Sequence, residues 1–183
     1  MSDNDPDFWK NLYRDQWKKS GSREEKVLSL LKEAGFKDAK LVGFGAGSEE
    51  FFHGKAEKYG RKKGDPDIDI PSVGVSVEVT GTDVKRVNLQ ADLWVRPDKV
   101  ENARDHRERD TWVVHSLDHE GTLRAIHLDG KTIDRLLQIE QINPTMRRTG
   151  VEETYIPIRA NDPNVKPFTD LVSYLKEKRA KNK

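Results

Sequence analysis

Two short segments of this chain place acids on alternate residues: Asp67 and Asp69 in DIDI at 67–70, and Glu78 in VSVEVT at 75–80. Alternation of polar and apolar residues is a strand pattern, and the turn-prone Pro71, Ser72, Val73 and Gly74 between the segments predict a hairpin. Strand residues two apart share a face. If residues 71–74 form the loop, Ile70 pairs with Val75, and the same register sets Asp67 opposite Glu78 with Cβ atoms about 5 Å apart. A longer loop or a bulge would set Asp69 opposite Glu78 instead, and both registers keep the acids on one face. Carboxylates this close repel by an energy on the order of a few kcal/mol at an intermediate effective dielectric. They therefore need a cation, a shared proton or bulk water. A divalent cation is the reading with chemical use.

The chain has no cysteine. That removes disulfides, thiolate nucleophiles and cysteine zinc sites, and leaves carboxylates and five histidines as strong metal ligands. The histidines lack ligand spacing such as two of them four apart on a helix. His115, ending an apolar strand, is the one that could reach the acids' end of a sheet. Hard, oxygen-preferring cations are the metals this composition suits. No Ser-His-Asp arrangement can be identified, and neither a GxxxxGK[ST] loop nor a GxGxxG turn is present.

The elements that must position these acids follow from periodicity. Phe8, Trp9, Leu12, Tyr13 and Trp17 recur at helical spacing, so residues 6–19 predict a short amphipathic helix that Gly21 interrupts. Core packing of that aromatic stripe is favoured over stacking on bases. Ser22 with Glu25 predicts a capping box, Val27, Leu28, Leu31 and Ala34 form an apolar stripe, and Gly35 suits the position after the last turn. The second helix thus runs from 23 to 34. A strand at 40–45 leads into a polar stretch at 45–64. Beyond the hairpin, Pro97 opens a helix with Val100 and Ala103 facing a core, and strands at 111–115 and 123–128 pair. A helix near 131–139, a strand at 155–159 and a helix at 168–180 complete the chain. This order predicts an α/β fold, a central mixed β-sheet flanked by helices. We expect an N-terminal amphipathic helix over 1–20 and a single α/β domain over 21–183.

GDPDIDI, a short turn and VSVEVT together resemble the PD-(D/E)xK nucleases, with Pro66-Asp67, Glu78 and, at the motif's lysine position, Thr80. The helix at 23–34 is similar to the first helix of archaeal Holliday-junction resolvases within that superfamily: Glu24 near its start, an apolar stripe, and a closing Gly35-Phe36. The resemblance covers residues 20 to 116. It implies a restriction-endonuclease-like fold and a metal-dependent endonuclease that hydrolyses phosphodiester bonds. In such a site Asp67 and Glu78, with the carbonyl of Val79, hold Mg2+ or Mn2+, which activates water and neutralises charge on phosphate. Asp69 is the alternative to Asp67. Glu24 joins the catalytic set. Its position agrees with the stripe, since it shares a side with Val27 and Leu28 while Glu25 is claimed by the capping box.

Thr80 cannot supply the positive charge of the motif's lysine. Lys85, just beyond the strand, and Lys99, in the following helix, are the substitutes. Without either, the site would bind metal and nucleic acid while cutting slowly or not at all. Lys and Arg total 33 against 32 Asp and Glu, so attraction to a polyanion rests on local clusters. Lys58, Arg61, Lys62 and Lys63 lead into the acidic strand, where phosphate would need an electrostatic approach; a solvated charged loop is the equal alternative. The expected partner is nucleic acid, DNA before RNA. Two copies would allow paired cuts on a duplex, although no stretch identifies a homodimer interface. The chain lacks a signal-like leader and any run of about 18 apolar residues, so a cytoplasmic protein without a membrane span is expected.

Overall fold

The computed structural model describes residues 6–42, 66–145 and 150–182, with side chains in the first helix from Lys18 onward. Helix α1 (Pro6–Glu33) is one continuous element of 28 residues. Gly21 does not interrupt it as its composition suggested, and Ser22 and Glu25 both lie exposed within the helix, so no capping box forms. The reason is tertiary. Lys19 and Arg23, on either side of Gly21, are ion-paired to Asp83 and Asp118, the latter at 2.7 Å. These contacts carry the helix across a glycine that costs only about 1 kcal/mol. The C-terminus ends as predicted. Gly35 takes φ 101°, and the Gly35 and Phe36 amides donate to the carbonyls of Lys32 and Leu31 at 3.1 and 3.0 Å.

The remaining elements are β1 (Lys40–Leu41), β2 (Ile68–Ile70), β3 (Val75–Thr82), β4 (Leu93–Val95), α2 (Pro97–Asp105), β5 (Asp110–Leu117), β6 (Thr122–His127), α3 (Gly130–Leu136), β7 (Ile156–Ile158), β8 (Val165–Pro167) and α4 (Phe168–Lys181). Six strands form one sheet in the order β1-β2-β3-β5-β6-β8. The β3–β5 pair is parallel and the others antiparallel, so the sheet is mixed, as expected. A parallel pair requires a crossover, and α2 lies within it. The strand expected at 155–159 is not part of this sheet. It pairs with β4 in a separate two-stranded sheet, and neither β4 nor β8 was anticipated.

Period-2 alternation sorts the strand residues onto two apolar layers. On one face Val75, Val77, Val114 and Ala125 pack with Val27, Leu31 and Phe36 and with Leu171 and Leu175 of α4. On the other, Val113 and Ile126 pack with Val100 of α2, Ile133 and Leu136 of α3, and Leu93, Ile156 and Ile158 of the small sheet. Among the described residues no helix is long and apolar enough to cross a membrane.

Gly81, near the end of β3, has a packing reason. A Cβ there would lie 2.5 Å from the Ser116 carbonyl oxygen on β5, with Arg23 Cδ at 3.0 Å. Because the obstacle is backbone of a paired strand, Gly81→Ala is expected to destabilise the fold by about 1–3 kcal/mol. Chemical denaturation measures this, and an unchanged midpoint would refute the close α1–β3–β5 approach.

Candidate active site

The hairpin adopts the register inferred from the shorter loop: Ile68 faces Val77, Asp69 faces Ser76 and Ile70 faces Val75. Continued by one residue, it sets Asp67 level with Glu78, and the Asp67 amide donates to the Val77 carbonyl at 3.1 Å. The register that would bring Asp69 opposite Glu78 is not adopted. Asp69 instead accepts from the Ser76 hydroxyl at 2.7 Å. Asp67 and Glu78 are 8% and 3% exposed, and this burial makes their juxtaposition chemically consequential. Asp67 Oδ2 also accepts from the Val79 amide at 2.8 Å. In a strand the N–H and C=O of one residue face the same neighbour, so the Val79 carbonyl looks toward the β2 edge as well.

The cation is supplied from α2. Val100 and Ala103 anchor that helix in the core, which lays its first turn over the sheet face bearing Glu78. Lys99 Nζ lies 2.5 Å from Glu78 Oε2. Burial pushes the Glu78 carboxyl well above the usual carboxylate range; Lys99 opposes that shift and Asp67 adds to it. Burial works against the Lys99 ammonium, yet Glu78 and Asp67 together hold it above the ordinary lysine value. Lys85 is exposed between β3 and β4, and no ion pair joins it to the two acids. The structure therefore brings Lys99, and not Lys85, to the carboxylates.

Thr80 is half-buried on the same face, one step along β3, in register with His115 of β5, which pairs in turn with Arg124 of β6. His115 is buried, and Arg124 approaches its Nδ1 at 3.3 Å. Burial, then Arg124 and Arg23, lower the His115 pKa to about 3, so the ring is neutral and accepts from the guanidinium. Arg124 also donates to the carbonyls of Ala91 at 2.8 Å and Leu89 at 3.3 Å, tying the β3–β4 segment to β6. Arg124 was missed in the sequence. Its one signal is a charge inside the apolar strand LRAIHL.

Glu24 is buried, as its place on the stripe suggested, and its helix packs through Val27 and Leu31 on the sheet face bearing Val77. Among the described residues no three acidic or histidine side chains gather as a metal-holding group, so Glu24 and Asp69 do not complete a cluster with Asp67 and Glu78. Lys58, Arg61, Lys62 and Lys63 lie outside the described residues.

The donor set nevertheless suits a hard divalent ion. Mg2+ binds oxygen, keeps several waters and commonly takes only one or two carboxylates. Asp67 and Glu78 provide two buried carboxylates on one face, with Lys99 against Glu78.

No protein family and no curated protein matches this chain. Among solved structures it is similar to a nuclease from a fusselovirus, at 16% sequence identity and a TM-score of 0.43, over 88% of this chain and 94% of that one.

Proposed function

We propose that this chain is a metal-dependent endonuclease of the PD-(D/E)xK type, hydrolysing phosphodiester bonds of DNA with Lys99 in the role of the motif's lysine. The observation that carries this reading is the arrangement of Asp67 and Glu78 level on one buried face with the Lys99 ammonium against Glu78. Asp67, Glu78 and the Val79 carbonyl would hold Mg2+ or Mn2+, which supplies Lewis acidity for water and phosphate. Lys99 places positive charge where the phosphoryl group becomes more negative as water attacks. Thr80, at the motif's lysine position, is then a bystander, because the charge arrives from the helix rather than the strand.

The test is cleavage of labelled DNA and RNA substrates with Mg2+, Mn2+ or chelator, comparing the wild type with Asp67→Ala and Glu78→Ala. Cutting is expected to require the metal and to fall to background in both variants. A specific feature favours one rival: Lys99 already neutralises Glu78, which would suit a nuclease fold kept for recognition. That rival predicts nucleic-acid binding in all three proteins and no cutting with any metal, an outcome that would sink the catalytic reading.

A further inference from the structure

The small β4–β7 sheet buries Leu93, Val95, Ile156 and Ile158 against the core and turns its other face outward. On that outer face the register sets Trp94 opposite Pro157, and its continuation sets Arg96 opposite Tyr155. Trp94 is 41% exposed. Its ring meets Tyr155 at 5.6 Å between centroids with planes tilted by 34°, so one edge is braced while aromatic surface stays open. Tyr155 is fixed by donating its hydroxyl to Glu153. Arg96 has a half-exposed side chain, held by Asp98 at 3.0 Å.

Exposed aromatic surface alone would suit any apolar partner. Two features narrow the choice. A guanidinium stands beside the aromatic pair, and flat rings flanked by a cation match a planar base with its phosphate. Arg96 also stands at the N-cap position of α2, three residues and about 4.5 Å along the helix axis from Lys99, whose ammonium meets Glu78. We infer that Trp94, braced by Tyr155, is a stacking platform for an unpaired base of the nucleic-acid strand engaged at Asp67 and Glu78, with Arg96 contacting its phosphate. This rests on the nuclease reading and adds to it a requirement for an unstacked base close to the reacting bond.

The test uses the full chain in chelator, so that nothing is cut, and measures binding of a labelled single-stranded oligonucleotide and of an abasic strand of the same length. The wild type is expected to prefer the base-bearing strand by about tenfold. Trp94→Ala removes the preference, and Trp94→Phe keeps most of it. Arg96→Ala weakens both strands alike and flattens the salt dependence. Trp94 packs on Tyr155 and not into the core, so the Ala variant should stay folded, with its unfolding midpoint lowered only by the loss of that ring contact. Equal binding of the two strands by the wild type, or an unchanged preference in Trp94→Ala, overturns the platform. So does a concentration-dependent dimer that Trp94→Ala abolishes, because the face would then be taken by a second copy. If metal-dependent cutting persists in those cases, the nuclease reading survives; a wild type that neither cuts nor binds takes both readings down.

Discussion

Replacing Lys99 with methionine is expected to slow metal-dependent cleavage about a thousandfold, the scale on which single groups that stabilise transition-state charge act. Methionine keeps a similar apolar stem but removes the ammonium that meets Glu78. The loss acts twice. The phosphoryl group loses nearby positive charge, and Glu78 loses the neighbour that opposes the upward push of burial and Asp67 on its carboxyl. A carboxyl pushed higher stays protonated to higher pH, so the acidic limb of the pH–rate profile should move upward in Lys99→Met. A purely structural lysine would lower the unfolding midpoint and leave the rate of the folded enzyme, measured at a pH above that limb, close to the wild type. Lys85→Met is the control. As an exposed residue, Lys85 should tolerate the change within about twofold in rate. Wild-type cleavage by Lys99→Met, or loss in Lys85→Met, would transfer the role to the other lysine.

The largest expected effect on stability is at Phe36. It is fully buried directly after the left-handed turn at Gly35, and the Arg179 guanidinium of α4 lies 4.6 Å over its ring while donating to the Gly35 carbonyl at 3.0 Å. Phe36→Ala should cost about 3–5 kcal/mol, from lost transfer energy and the cavity left behind. That is a large share of a total of about 5–15 kcal/mol. Arg179→Ala, which removes an exposed cation–π contact, should cost only about 0.5–1 kcal/mol. Denaturant titration of both variants measures the difference. A loss below about 1 kcal/mol in Phe36→Ala would contradict the burial.

The consequence reaches the hairpin. Two residues further on, Asp38 accepts from the Ser72 amide at 2.6 Å and from its hydroxyl at 2.9 Å, at the loop joining β2 to β3. Loosening Phe36 therefore loosens one support of the turn that sets the acids' register.

How much of this was legible before folding differs from residue to residue. The turn at Gly35 and the register of Asp67 against Glu78 could be read directly, because a left-handed cap and a four-residue loop between alternating segments are local geometry. Strands β4 and β8 could not, since three residues contain too little alternation to set them apart from loop. The helix across Gly21 was misread for a related reason. A glycine's local preference is weak, and partners at Asp83 and Asp118, 64 and 95 residues away in sequence, decide it. Glu24 was rightly placed on the buried side of its helix, but which sheet face that side meets is not written in helical periodicity.

The acids themselves and their shared face belong to the sequence, because alternation and loop length act between near neighbours. The cation that meets them belongs to the tertiary structure. Lys85 and Lys99 are both basic residues a short way past β3, and nothing local separates them. The parallel β3–β5 pairing separates them, since its crossover seats α2 through Val100 and Ala103 and carries Lys99 onto Glu78, while Lys85 stays in the exposed connection before it.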